Sequence, residues 1–135
     1  MITDNGQGFY SWNGKLYHSD IVRSAIRPKA RAIGKAVGKH IRNSVEGTKV
    51  NPDVYMKFLL EEPNPYMTGQ QLQEKLVTQL ELNNNAFAYI NRDDNGLPTE
   101  IYPITAIGTE ALLDGQGRLH LRFNLRDGRQ VTFRY

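Results

Sequence analysis

The sequence contains no cysteine in its 135 residues. This absence excludes disulfide bonds, thiol catalysis and cysteine-ligated metals, and it is compatible with a reducing compartment. The three histidines, His18, His40 and His120, are isolated and lack the spacing of a metal site. The adjacent acids at 61–62 and 93–94 fall in a predicted loop and turn, and no nucleophile has a recognisable partner. We therefore expect no enzymatic activity, no cofactor and no bound metal.

Long apolar runs are also missing. No segment approaches the roughly 18 apolar residues of a membrane-spanning helix. The first eight residues, MITDNGQG, have neither the basic nor the apolar region of a signal peptide. We expect no membrane partner. The length suits a single domain, residues 1–135, with a core of its own.

Positive charge is concentrated at the start of the chain. Residues 1–50 contain nine Lys or Arg and three Asp or Glu, whereas residues 51–135 contain eight and eleven. The two parts therefore carry net charges of +6 and −3 within an overall charge of +3. A basic first part indicates an acidic partner, of which nucleic acid is one candidate.

A helix is predicted from Ser19 to Arg42, with Ser19 as its N-cap. Its apolar stripe comprises Val22, Ile26, Ile33, Val37 and Ile41. Its cations are the candidate DNA contacts: Arg23, Arg27, Lys29, Arg31, Lys35, Lys39 and Arg42. No acid lies between Asp20 and Glu46, so like-charged neighbours repel by a few tenths of a kcal/mol per pair. We expect the counter-charge to come from DNA phosphates, from the acidic second part of the chain or from a neighbouring subunit.

Three residues disturb this helical pattern. Pro28 removes a backbone hydrogen bond and predicts a kink or a break. Gly34 and Gly38 lie in GKAVGK, whose spacing and helical context do not fit a phosphate-binding loop. Because each glycine costs about 1 kcal/mol relative to alanine inside a helix, we expect both to permit the close approach of another backbone.

A short helix is predicted next, with Asn51 as its cap and Pro52 in its first position. Val54, Phe58 and Leu59 are expected to face inward, and the acids before the next proline end the helix. The loop from 63 to 67 contains two prolines and should be stiff.

A third helix begins at Thr68, which forms a capping-box spacing with Gln71. Leucines at 72, 76 and 80 give it an apolar face. Three asparagines, 83–85, end it, because asparagine tolerates the left-handed conformation of a C-terminal cap.

A hairpin follows, with Asn95 and Gly96 as the predicted two-residue turn. This turn pairs Arg92 with Thr99, Ile90 with Ile101, Tyr89 with Tyr102 and Phe87 with Ile104. Apolar pairs then lie on both faces, so both faces need a cover. We expect the third helix to provide one cover, and another segment or a partner to provide the second.

The last thirty residues predict a strand meander. Leu119, Leu121, Phe123 and Leu125 alternate with polar residues, which is typical of a half-buried strand. A three-residue turn with Gly128 left-handed aligns Phe123 with Val131 and Leu121 with Phe133. For the earlier turn at DGQG, the pattern fits a length of either three or four residues. The polar face forms a second basic surface, either solvated or functional: Arg118, His120, Arg122, Gln130, Thr132 and Arg134.

The first 18 residues are rich in glycine and aromatics. Asn13–Gly14 predicts a short hairpin that places Trp12 opposite Lys15 and Tyr10 opposite Tyr17. Such an arm either covers the domain's own core or docks on a neighbour or on bases. The fold class is thus α+β: an arm (1–18), a helical part (19–84) with two to three helices, and an antiparallel sheet part (85–135).

The order of motifs from 50 to 104 resembles the portal, or head–tail connector, proteins of tailed bacteriophages. The matching positions are Pro63, Asn64, Met67, Thr68, Asn85, Ala86, Phe87, Arg92, Asp93, Gly96, Pro103 and Ile104. Two positions depart from the family pattern, since Asn84 replaces the usual glycine and Phe87 the usual tyrosine. Portal subunits are several times longer, so the resemblance implies a fragment of the wing region.

The resemblance implies a structural subunit of a ring, with twelve copies in the full-length protein. Its partners would be other copies, the double-stranded DNA that passes through, the terminase packaging ATPase, and head-completion or tail adaptor proteins. Its location would be the virion, and the host cytoplasm during assembly. The alternative from the charge pattern is a stand-alone, sequence-tolerant nucleic-acid-binding domain that uses the basic helix.

Overall fold

The structure, a computed structural model, describes residues 9–10, 16–36 and 38–135. The architecture is α+β, as predicted. The helices are α1 (Asp20–Gly34), α2 (Val54–Glu61) and α3 (Gly69–Asn83), preceded by a 3₁₀ turn, Leu16–His18. The strands are β1 (Phe9–Tyr10), β2 (Ile41–Ser44), β3 (Gly47–Val50), β4 (Ala88–Arg92), β5 (Pro98–Pro103), β6 (Gly108–Leu113), β7 (Leu119–Asn124) and β8 (Gln130–Arg134). Among these elements, no helix has the length and apolarity to cross a membrane.

Helix α1 is shorter than the sequence predicts. It continues through Pro28, so the expected break is absent, but it ends at Gly34 rather than Arg42. The following residues form a hairpin, β2–β3, inside the predicted helical part. Two physical features explain the change: glycine disfavours helix continuation, and Gly47 at φ 124 adopts a turn conformation that other residues rarely reach. Val37, in the predicted apolar stripe, lies outside the described residues.

Helix α1 packs against α3. Ile26, Ala30 and Gly34 are buried. A Cβ on Gly34 would lie 3.1 Å from the backbone oxygen of Gln70, which confirms the predicted close approach at this glycine. The same expectation is wrong for Gly38, where a Cβ would make only ordinary contacts of 3.6 Å or more.

Helix α2 is capped by Asp53, not by Asn51 as predicted. The Asp53 carboxylate accepts hydrogen bonds from the backbone N–H groups of Tyr55 and Met56. Asn51 instead has φ 49 and closes the base of the β2–β3 hairpin. Its backbone N–H donates to the His40 carbonyl at 2.6 Å, and its side-chain oxygen accepts from the His40 backbone N–H at 3.1 Å. Asp53 is the N-cap because its carboxylate accepts hydrogen bonds from two backbone amides of the first turn.

The inward face predicted for α2 is also wrong in part. Leu59 is buried, but Val54 and Phe58 are 64% and 59% exposed. Two of the three predicted core residues of this helix therefore face outward.

Helix α3 begins and ends as the sequence predicts. Thr68 and Gln71 form the reciprocal capping box, and Asn84 adopts the left-handed conformation at the C-terminal cap. Gly69 permits a very close approach, since a Cβ there would lie 2.0 Å from the Leu60 backbone oxygen. A larger residue in the first turn would therefore separate α3 from the end of α2.

The strands form three antiparallel sheets in the described chain: β1-β6-β7-β8, β2-β3 and β4-β5. In the last, Ile90 pairs with Ile101 and Tyr89 with Tyr102, which confirms the predicted register there. The predicted pairing of Arg92 with Thr99 is wrong, because the register shifts and Arg92 faces Pro98.

The turn chemistry explains this shift. Asp93 and Leu97 close a three-residue loop, and the Asp93 carboxylate accepts from the amides of Asn95 and Leu97. Gly96 takes the left-handed position at φ 80. The aspartate side chain thus stabilises a longer turn than the two-residue Asn–Gly type.

The β6–β7 and β7–β8 turns have the same three-residue form as the β4–β5 turn. Asp114 and Arg118 close one three-residue loop, and Leu125 and Arg129 close the other. The latter confirms the predicted bulge at Gly128, and the register of Phe123 with Val131 is also as predicted.

Aromatic side chains join the four-stranded sheet to the β4–β5 ribbon. Phe123 is 2% exposed, and its ring centroid lies 5.2 Å from Phe87 and 6.0 Å from Phe133. Tyr89 lies 5.0 Å from Phe133. One face of the β4–β5 ribbon is therefore covered by the meander. Helices α2 and α3 also contact β5, whereas Ile90 on the other face is 41% exposed.

The arm that was predicted for residues 1–18 is described only in part. Phe9 and Tyr10 pair with Thr109 and Gly108 at the edge of the four-stranded sheet. This pairing attaches the segment to the domain's own sheet. The predicted Asn13–Gly14 turn lies outside the described residues.

Candidate functional site

The predicted DNA contacts separate into paired and unpaired cations. Lys29 forms an ion pair with Glu81 of α3, with its Nζ 2.6 Å from the carboxylate oxygen. Arg23 pairs with Asp20 one turn earlier in α1. These two cations lie beside the buried face of α1. Glu81, from the acidic second part of the chain, supplies one of their two counter-charges, and Asp20 of α1 supplies the other.

The remaining α1 cations form an exposed stripe. Arg27, Arg31 and Lys35 follow at four-residue intervals, so they lie along one side of the helix. All three are exposed, and within the described residues no acid comes within 4.0 Å of them. We call these three residues the α1 cation stripe.

Lys39 and Arg42 do not extend this stripe. Helix α1 ends before them, and Arg42 lies on β2 directly opposite Lys49 of β3. Like charges in this position repel. Of the seven predicted contacts, four lie in α1, Lys35 is its C-cap, Arg42 lies on β2, and Lys39 lies between the two elements.

The second basic surface on the sheet is largely neutralised. Arg122 lies 3.4 Å from Glu110 across the strand pair, and Arg118 lies 2.7 Å from Asp114. The apolar Leu112 pairs with His120 on the same face. This arrangement is that of a solvated sheet face with internal ion pairs.

The loop before α3 is rigidly attached to the sheet. Pro63 is fully buried, and its carbonyl accepts from the Ile101 amide at 2.7 Å. The buried Asn64 side chain donates to the Ile101 carbonyl at 2.7 Å and accepts from the Tyr66 amide at 2.9 Å. These contacts connect the loop to the free edge of β5, which leaves fewer unpaired backbone groups on that edge.

Several other motif residues also make structural contacts. Asn85 donates to the Asn83 carbonyl at 3.3 Å, and Arg92 donates to the Gly96 carbonyl at 2.9 Å. Pro103 pairs with Ala88 in the β4–β5 ribbon. The motif residues therefore build the junction between helix, loop and ribbon, rather than a reactive centre.

Sequence reasoning missed a set of exposed apolar residues between 41 and 58. Ile41 and Val50 are each 55% exposed, Val45 is fully exposed, and Val54 and Phe58 are also outward. The β-branched residues at 41, 45, 48 and 50 were a signal for strand that the helical charge pattern concealed.

Two cavities in the described part of the chain contrast in size. One holds about 40 Å³ beside Gln79, Asn85 and Phe87, and a second is an open groove of about 650 Å³ between the 3₁₀ turn and α3. No group of three or more His, Asp or Glu in the same described residues could hold a metal ion. Burial raises the pKa of Tyr102, with a smaller contribution from its hydrogen bond to Glu100.

Comparison with known proteins identifies a family and a similar solved structure. The family model described as "Phage portal protein" matches residues 20–135. A solved structure titled "Neck of empty GTA particle computed with C6 symmetry" contains a chain with a TM-score of 0.69 and 17% sequence identity. The match covers 96% of this chain but 35% of that chain, so this chain spans about a third of the neck chain's length.

A search of curated proteins gave no match. The solved structure establishes similarity of fold, and the family model covers most of the chain. This chain belongs to the phage portal protein family.

Proposed function

We propose that this chain is part of a structural subunit of a phage portal ring, the channel through which the genome is packaged and ejected. The observation that carries the proposal is the family match over residues 20–135. The fold similarity to a chain of a particle neck supports it. A virion location follows from the same proposal, with assembly in the host cytoplasm.

A ring subunit works by geometry rather than by chemistry. Identical copies close a ring when one surface of each copy binds a different surface of the next. The similar chain comes from a particle neck that was computed with C6 symmetry. A ring of twelve copies is compatible with that symmetry. The ring would provide the docking surface for the terminase ATPase and for head-completion or tail adaptor proteins.

Within such a ring, the α1 cation stripe is the group most suited to DNA. Arg27, Arg31 and Lys35 are exposed and lack acidic partners in the described chain. Lysine and arginine contacts to phosphates carry no sequence information, so DNA could slide past them. Arg23 and Lys29 are less available, because each already pairs with an acid.

The test combines sedimentation velocity, electron microscopy and duplex-DNA filter binding at several salt concentrations. The portal proposal expects self-association into closed rings, with weak DNA binding. Tight DNA binding by a monomer, with a steep loss of affinity as salt rises, would contradict it.

That contrary outcome defines the second candidate, a stand-alone nucleic-acid-binding domain. The unpaired α1 cation stripe is the observation that favours it. Replacement of Arg27, Arg31 and Lys35 by alanine should leave the fold intact and lower the salt slope by about one unit per lost phosphate contact. The matched control removes three exposed cations elsewhere, Lys75, Arg126 and Arg134.

A further inference from the structure

The β4–β5 turn, residues 93–97, contains a pair of residues that is chemically unstable in unfolded chains. Asn95 directly precedes Gly96. In such a pair the backbone nitrogen of the glycine can attack the asparagine side chain, because glycine has no Cβ to obstruct the approach. Both residues are exposed, and among the described residues the Asn95 side chain makes no hydrogen bond. Sequence and exposure therefore indicate a site of chemical modification at Asn95.

The reaction is deamidation, and its only co-reactant is water. The Gly96 nitrogen loses its proton and bonds to the Cγ of Asn95. The bond from Cγ to the side-chain nitrogen breaks, and this nitrogen takes up the proton and leaves as ammonia. Water then opens the five-membered imide at either of its two carbonyls. The products are aspartate and isoaspartate, in which the backbone continues through the former side chain.

In the folded chain, Asp93 holds three consecutive backbone amides of this turn. Its carboxylate accepts hydrogen bonds from the amides of Asn95 at 2.9 Å and Leu97 at 2.8 Å. Its carbonyl accepts from the Gly96 amide at 2.9 Å, so the attacking nitrogen is turned toward Asp93 with its proton engaged. Closure of the imide ring requires the loss of that proton and a rotation of the Asn95 backbone. The hydrogen bonds to Asp93 therefore oppose the reaction.

We propose that Asn95 is a site of spontaneous deamidation and that the hydrogen bonds to Asp93 set its rate. The reaction proceeds only while the turn is locally open, so its rate follows the fraction of open turn. Isoaspartate adds one methylene to the backbone, which moves the amides of Gly96 and Leu97 away from their acceptors on Asp93. The new carboxylate also lies beside two others, Asp93 and Asp94, which repel it. A turn that has opened and reacted does not close again in its original form.

Peptide mapping by mass spectrometry measures the reaction after incubation at mildly alkaline pH. Trypsin releases residues 93–118, in which Asn95 is the only asparagine, and fragment ions distinguish it from Gln116. Conversion of Asn95 in the folded chain should be at least about tenfold slower than in a synthetic peptide of residues 88–103 in the same buffer. Equal rates in the chain and the peptide would overturn the proposal, because the turn would then give no protection.

Two alanine variants separate the hydrogen bonds from the charge. Asp93→Ala removes the carboxylate that holds the amides of Asn95 and Leu97, so conversion should become at least about threefold faster. Asp94→Ala is the matched control, because it removes the same charge from an exposed side chain that makes no hydrogen bond in the described chain. Its rate should equal that of the original chain. Equal acceleration by both variants, or none by Asp93→Ala, would overturn the role of Asp93.

Hydrogen exchange tests the same mechanism in the original chain, without any change that could disturb folding. The Gly96 amide donates to the Asp93 carbonyl, whereas the Asp94 amide has no acceptor among the described residues. After correction for intrinsic rates, the Gly96 amide should exchange at least about tenfold more slowly. Low concentrations of urea that speed the exchange of Gly96 should speed the conversion of Asn95 by the same factor. Conversion that stays constant while this exchange accelerates would overturn the link between turn opening and deamidation.

Discussion

The β2–β3 hairpin (residues 41–50), here called the arm hairpin and distinct from the N-terminal arm, shares a backbone architecture with the β7–β8 hairpin, but the two have opposite surroundings. Both are antiparallel pairs with a glycine at positive φ in the turn, Gly47 at 124° and Gly128 at 82°. In β7, Phe123 is buried between aromatic rings. In the arm hairpin every strand residue is exposed. Backbone pairing is common to both, so the side-chain packing makes the difference.

The contrast indicates a division of roles within one chain. The β7–β8 hairpin joins the β4–β5 ribbon through aromatic contacts and so contributes to the stability of the domain. The arm hairpin contributes little to that stability, because all of its strand residues are exposed. A mutation in the β7–β8 hairpin should therefore affect folding more than a mutation in the arm hairpin.

The largest expected effect is that of Phe123→Ala. The substitution removes a buried ring that contacts Phe87 and Phe133, and we expect a loss of about 4 kcal/mol in the free energy of unfolding. Ile41→Ala in the arm hairpin should cost less than about 0.5 kcal/mol, because its side chain is already exposed. Urea unfolding of both variants measures the difference. Equal losses would show that the two hairpins are equally part of the core.

Hydrogen exchange should separate the hairpins without any mutation. Amides of β7 that pair with β6 and β8 should exchange only on global unfolding. Amides of the arm hairpin should exchange through local opening, at least about 100-fold faster, which corresponds to about 2.7 kcal/mol. Exchange of the two sets at one common rate under native conditions would contradict the proposed independence of the arm hairpin.

The contrast between the two hairpins also explains which elements could be predicted from the sequence. The capping box at Thr68 and the left-handed cap at Asn84 were predicted correctly, because each signal acts within a few residues. The bulge at Gly128 was predicted because only a three-residue turn aligned the apolar faces of β7 and β8. Capping residues determined the two ends of α3, and the alignment of the apolar faces determined the β7–β8 turn.

The segment from Lys35 to Phe58 was predicted poorly, because its signals conflict. The spacing of charged and apolar residues favoured a helix up to Arg42. The β2–β3 hairpin depended instead on a turn at Gly47 and on the hydrogen bond from the His40 backbone amide to the Asn51 side chain. The outward position of Phe58 depends on which side of α2 the rest of the chain covers, which periodicity does not specify. The exposed apolar residues between 41 and 58 were consequently missed, although all of them are visible in the sequence.

The glycines in the two turns provide a smaller test of the comparison. Gly128→Ala places a side chain at φ 82 and should cost about 1 to 2 kcal/mol of global stability. Gly47→Ala is strained at φ 124, yet it should leave the global unfolding free energy nearly unchanged and disturb only the arm hairpin. Thermal unfolding measures the first effect and amide chemical shifts the second. Gly128→Asn is the control, since asparagine enters the left-handed region more readily.

The smallest expected effect is electrostatic and concerns Asp114 in the β6–β7 turn. Its pKa is lowered chiefly by the hydrogen bond from the Arg118 backbone amide, at 2.9 Å, and next by the Arg118 side chain, at 2.7 Å. Because the folded pKa lies below the unfolded value, this stabilisation is present above the ordinary pKa of 3.8 and is lost as the pH falls through the folded pKa.

Arg118→Ala distinguishes the two causes of this shift. The variant removes the guanidinium but keeps the backbone amide, so the pKa of Asp114 should rise only part of the way and stay below its ordinary value. Carboxyl resonances followed by NMR against pH give both values. Asp127, whose pKa is lowered chiefly by the Arg129 amide, should respond in the same way to Arg129→Ala. A return of either carboxyl to its ordinary pKa would assign the shift to the ion pair, and the turn would then depend on the arginine side chain rather than on the backbone amide.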